Sequence, residues 1–143
     1  MDTHPATLLR NSIGKQIEIS PSPFMLWLKP VVIAVEEGSL TFEYTVRNEM
    51  TNPFGTLHGG VTAAIIDDII GATLISYGEP VSYISINLVV DYFSAAKEGD
   101  TTIAQTQILK KGNRLVNAHC EIWNHDRTRM HAKGYTNLLK TEN

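Results

Sequence analysis

The sequence predicts an α+β fold, in which a six-stranded antiparallel sheet wraps around one long central helix. Three observations carry that expectation. The stretch Asn52 to Tyr77 contains no Lys or Arg and is almost wholly apolar and small from Val61 onward. Six alternating, β-branched segments flank it, two before and four after. Their turns are short and rich in Gly, Asn and Asp, which suits antiparallel neighbours.

Taken in order, Thr3 to Ser12 predicts a short helix with Pro5 in its first turn and Gly14 beyond its end. Ser20-Pro21-Ser22-Pro23 reads as a turn or extended linker, and Phe24 to Leu28 as an apolar cluster covering a core edge. Residues 1–30 form an N-terminal extension of a single 143-residue domain. Val31 to Glu37 and Ser39 to Asn48 flank Gly38 as a hairpin. In its second arm Leu40, Phe42, Tyr44 and Val46 alternate with Thr41, Glu43, Thr45 and Arg47, the pattern of a half-buried strand. The later strands are expected at Val81 to Phe93, Thr101 to Lys110, Arg114 to Asn124 and Thr128 to Leu139.

The central helix begins after Asn52-Pro53 and Gly55, with Thr56 or His58 as its cap. Its first N–H groups lack intrahelical partners and carry positive partial charge. Gly59 and Gly60 leave those groups open to a carbonyl oxygen that becomes an oxyanion. Asp67 and Asp68 sit mid-helix with no cation within a turn. Burying such a carboxylate is expensive and raises its pKa, which marks an active-site candidate. A helix apolar on every side needs more cover than one sheet supplies, so a homo-oligomer is expected.

Composition narrows the function classes. A net charge of -3 argues against a general nucleic-acid binder. The lone Cys120 excludes an internal disulfide. No charged-then-apolar leader is apparent, and two aspartates interrupt the apolar helix, so no membrane span is expected and the cytoplasm is the default location. There is no Gly-x-Ser-x-Gly elbow and no metal-ligand spacing among the histidines.

Asn52, then Gly55-Thr56-Leu57-His58-Gly59-Gly60, then Asp67 resemble the hotdog-fold acyl-CoA thioesterases, in particular the phenylacetate-pathway (PaaI-like) type and related small thioesterase-superfamily proteins. The similarity continues through Ser85, Asp91-Tyr92-Phe93-Ser94, Ala96-Lys97, Gly99-Asp100 and Lys111-Gly112-Asn113-Arg114. The resemblance implies two subunits sharing one continuous sheet, often as a dimer of dimers, with sites at the dimer interface. It implies that Gly59 supplies an N–H to the thioester carbonyl and that Asn52 and His58 place the thioester or the water. It assigns Asp67, from the opposite subunit, as general base or nucleophile, and Ser85 to hold the water or orient Asp67. Asp68 departs from the pattern, which usually has a neutral residue there, and Ala95 stands where proline is common. Asp68 is expected either as an outward salt-bridge partner or as a like charge acting on Asp67.

The expected activity is hydrolysis of a fatty or aromatic acyl-CoA to free acid and CoA, with no cofactor beyond the CoA of the substrate. Gly60, Lys110, Lys111 and Arg114 are the candidate substrate contacts, the three cations facing the CoA phosphates. Two alternatives stand beside it: a hotdog hydratase or dehydratase acting on acyl thioesters, and a non-catalytic acyl-CoA binder or sensor.

Overall fold

The computed structural model describes residues 2–141. Each predicted strand is present, within about three residues of its expected ends. They are β1 (Val31–Glu36), β2 (Ser39–Thr45), β3 (Ser82–Tyr92), β4 (Thr101–Lys111), β5 (Leu115–Asn124) and β6 (Met130–Thr141). All neighbours are antiparallel, in the order β1-β2-β4-β5-β6-β3. In β2 Leu40, Phe42 and Tyr44 are buried as expected, as is Val46 just beyond it, but Thr41 is buried too, so both faces of the strand are covered at its start. The chain after β2 leaves the sheet earlier than expected, in a single 3-10 turn at Asn48–Met50.

The N-terminal extension contains two helices, α1 (Pro5–Asn11) and α2 (Pro23–Leu28). The second corrects the expectation of a turn or linker followed by a loose apolar cluster. Ser22 caps it, its Oγ accepting from the Met25 N–H at 3.2 Å, and Pro23 takes the first helical position, where a missing N–H costs nothing. Met25 and Leu28 are buried, while Phe24 and Trp27 stack at 5.6 Å on the outer side.

The central helix, α3, runs Gly59–Ile75. Ile65, Ile66, Ile69, Ile70 and Leu74 pack into the sheet's core. Its buried hydroxyls are satisfied: Thr73 Oγ1 donates to the Ile69 carbonyl at 2.8 Å and lies 2.7 Å from Thr106 Oγ1, which accepts from the Leu40 N–H at 2.9 Å. The helix is not buried all round, however. Gly60, Asp67 and Ile75 are exposed, with Ala64 and Gly71 half-buried between them. These residues form one ridge that the chain's own sheet leaves uncovered.

Close approach of α3 to the sheet depends on Gly134 in β6. A Cβ there would meet Ile66 Cγ2 at 2.7 Å and Cδ1 at 2.9 Å. Gly134→Ala is therefore expected to destabilise the fold by about 1–3 kcal/mol in urea denaturation through overpacking. Ile66→Val in the same chain, which removes Cδ1, should recover part of that loss.

Candidate active site

His58 is the N-cap of α3, with extended backbone (φ -61, ψ 135) and its Nδ1 accepting from the Gly60 N–H at 2.9 Å. The Gly60 amide is thereby occupied within the chain. The Gly59 N–H makes no hydrogen bond among the described residues. Its carbonyl accepts from Tyr92 Oη at 2.6 Å, which pins the start of the helix to β3. A half-exposed, unpartnered N–H at a helix start is a donor aimed outward.

Asn52 closes the loop that leads into this turn. Its Oδ1 accepts from the Phe54 and Thr56 N–H groups at 3.0 and 3.1 Å, and its Nδ2 donates to Thr56 Oγ1 at 2.8 Å. That is an Asx-type turn.

Asp67 and Ser85 are in direct contact, Ser85 Oγ donating to Asp67 Oδ1 at 3.0 Å. The pairing depends on a β-bulge in β3, where the register against β6 shifts between Ser85 and Asn87. Side chains alternate along a strand, so Ser85 and Tyr92, seven positions apart, would otherwise face opposite sides. The bulge at Ile86 inverts the parity and lets both reach α3.

The two acids occupy different environments. Asp67 is the exposed one, on the uncovered ridge. Asp68 lies beneath α2, its Oδ1 accepting from Ser22 Oγ at 2.9 Å and its Oδ2 buried without a partner among the described residues. It is neither an outward group nor paired with a cation. Burial pushes its carboxyl above the ordinary value, the Ser22 hydrogen bond opposes this, and the Asp67 charge adds to it. Tyr44 Oη is likewise buried and unpartnered, and burial, with the Asp68 charge behind it, pushes that phenol well up.

The cations are placed elsewhere. Lys110, Lys111 and Arg114 lie around the β4–β5 hairpin, where Lys111 pairs with Glu79 and sits 4.7 Å from the Tyr77 ring centroid. Tyr77 and Glu79 follow the C-terminal end of α3, about 25 Å along the helix from Gly59. Within one chain these cations do not join the Gly59 turn. Among the described residues, no group of three or more His, Cys, Asp or Glu side chains is placed to hold a metal ion. Nor is any helix among them long and apolar enough to cross a membrane.

Sequence reasoning missed Ser22 and Tyr92 as positioning groups. Ser22 was legible as a cap before Pro23, but its hold on Asp68 spans 46 positions and has no local signature. Tyr92 lay inside the quoted motif, yet nothing local points its hydroxyl at Gly59.

The raised Asp68 carboxyl has a stability consequence. The folded chain holds that proton more tightly than the unfolded chain, whose carboxyl titrates near 3.8. Asp68 thus favours folding at pH values below its unfolded pKa, and the benefit is lost as pH rises through its folded pKa. Asp68→Asn, which keeps an acceptor for Ser22, should raise the melting temperature by about a few degrees at pH 7 and have little effect near about pH 3.5, followed by circular dichroism.

Comparison with known proteins agrees with this geometry. Residues 54–131 match the family model described as Thioesterase superfamily. The chain is 30% identical over 106 residues to acyl-coenzyme A thioesterase 13 of Mus musculus, covering 74% of this chain and 76% of that protein. The crystal structure of zebrafish thioesterase superfamily member 2 superposes with a TM-score of 0.76 at 27% identity, covering 94% of each chain. The E. coli PaaI protein from the phenylacetic acid degradation operon superposes at 0.81 with 18% identity, over 98% of this chain and 96% of that one, a likeness of fold. The sheet wrapped on a central helix is the hotdog fold, and the chain belongs to the thioesterase superfamily.

Proposed function

We propose that the protein is an acyl-CoA thioesterase whose active site is assembled from two copies of the chain. The observation that carries this reading is the pairing of Ser85 with Asp67 on the uncovered ridge of α3, together with the free Gly59 N–H at the start of the same helix. Eight residues separate Gly59 from Asp67, about 12 Å along a helix, so the two cannot face one thioester within a chain. A second copy, its helix running the opposite way, brings its Asp67 toward this Gly59.

The sheet favours such a pairing. Among the described residues β3 is an edge strand of 11 residues whose strand neighbour is β6, and it exposes Ile84, Ile86 and Val89. A long edge of that kind invites a second strand, here β3 of another copy, which would make one continuous sheet. A dimer of dimers is the further assembly this reading carries. The relative named acyl-coenzyme A thioesterase 13 supports the substrate class. A lone buried thiol, Cys120, suits the cytoplasmic location expected from the sequence.

In the reaction, the thioester carbonyl oxygen accepts from the Gly59 N–H, and the helix start stabilises the negative charge that develops there. Asp67 takes a proton from a water that attacks the carbonyl carbon, or attacks that carbon itself and is released by water in a second step. The C–S bond breaks, the CoA thiolate leaves, and it gains the proton in solution. Ser85 holds the Asp67 carboxylate in one orientation. His58 keeps the Gly60 amide occupied, which leaves Gly59 as the donor. No cofactor takes part. Lys110, Lys111 and Arg114 are the cations offered to the CoA phosphates.

Two substitutions test the assignment by thiol release from acyl-CoA. Asp67→Asn should remove nearly all turnover with the melting profile retained. Gly59→Pro deletes the N–H at the first helical position, where proline is tolerated, and the extended His58 backbone accepts a following proline. It is expected to lower kcat about 100- to 1,000-fold. Near-normal kcat in either variant would overturn the corresponding role.

A further inference from the structure

Between the N-terminal extension and α3 lies a cleft of about 350 Å3, in the size range of small-ligand sites. Its walls include Leu8, Leu9, Ile17, Ile19, Met25 and Ile75. They are aliphatic, and no aromatic ring lines them. Ile19 is 94% exposed, Ile75 57% and Leu8 49%, a concentration of exposed apolar surface around one cleft. Asp67 lines it, and so does Gly71, one turn further along α3. A Cβ at Gly71 would meet nothing within 4 Å, so the floor of the cleft is open there. The outer wall is fixed in place by the Ser22–Asp68 hydrogen bond and by α2, which Ser22 caps.

A second hollow of about 330 Å3 flanks the other side of Asp67 and contains Ser82, Tyr83 and Ser85. It holds the hydroxyl that orients the acid, which makes it the polar side of the carboxylate. The aliphatic side is the N-terminal cleft.

We propose that this cleft seats a linear aliphatic acyl chain, so that the N-terminal extension sets the chain-length selectivity of the enzyme. The proposal rests on the thioesterase reading above and specifies its substrate. The occupant follows from three features together: walls of flexible aliphatic side chains, the absence of a flat aromatic slot, and an opening at the carboxylate that acts on the acyl carbon. The cleft has room for an alkyl chain well longer than acetyl. Each methylene that leaves water for such walls contributes about 0.8 kcal/mol, so selectivity should rise steeply with chain length until the cleft is full.

Leu8→Trp and Ile19→Trp fill the cleft from exposed positions, where a larger side chain leaves the core untouched. The experiment measures kcat/KM of the full chain and both variants with acetyl-, hexanoyl-, dodecanoyl- and phenylacetyl-CoA, alongside sedimentation. The expected result is a wild type that prefers dodecanoyl-CoA, and variants that lose about tenfold or more on it while staying within about twofold on acetyl-CoA. An equal effect on all four substrates, no effect on any, a wild type that prefers phenylacetyl-CoA, or a change in assembly state in place of selectivity would each overturn the proposal. Should the wild type hydrolyse none of the four, the thioesterase reading fails separately, and dodecanoate binding by calorimetry decides the cleft. Binding that either variant abolishes upholds an aliphatic seat, and no binding by the wild type removes it.

Discussion

The rigidity of one helix governs the rest of the structure. Its free N–H at Gly59 and its outward carboxylate at Asp67 are fixed about 12 Å apart, and no side-chain rotation closes that distance. A site that needs both must take them from different molecules. The remaining features of the fold are arranged around this constraint. The sheet covers one side of α3 and leaves the Gly60–Asp67–Ile75 ridge bare. The edge strand β3, which carries Ser85 and Tyr92, runs beside that ridge with one backbone edge unpaired.

Adjacent aspartates illustrate how a helix separates like groups. A step of about 100° takes one side chain from the open ridge to the space under α2. Asp67 is left accessible and held by Ser85, whereas Asp68 is half-buried, held by Ser22 and denied a cation. Such a buried acid costs stability at neutral pH. In return it provides the acceptor that ties the N-terminal extension across α3. Side chains also anchor the helix start, where His58 occupies the Gly60 amide and Tyr92 the Gly59 carbonyl, while the Gly59 N–H has no partner among the described residues.

Much of this was legible in the residues. The strand alternation in β2, the breakers before α3 and the unpaired acids mid-helix are local signals, and local signals survive folding. The N-terminal extension was harder. Ser22-Pro23 is both a common turn pair and a cap followed by a first-position proline, and only the packing of Met25 and Leu28 decides for α2. Which acid is buried was not legible, because an all-apolar helix offers no polar face from which to read its orientation. Nor was the bulge at Ile86, which has no glycine to mark it and without which Ser85 and Tyr92 would point apart. The basic turn is a further case: Lys110, Lys111 and Arg114 are clustered in sequence, and only the folded hairpin shows Lys111 beside Tyr77 and Glu79, past the C-terminal end of α3.

The central claim, that each site draws its donor and its acid from different copies, is tested most directly by mixing two inactive variants. Asp67→Asn and Gly59→Pro chains are each unable to form a complete site with themselves. A mixed dimer regains one complete site of two, so subunit exchange between equal amounts should restore about a quarter of wild-type thiol release. If exchange is verified by mass and the mixture stays as inactive as its parents, the two-copy site is wrong.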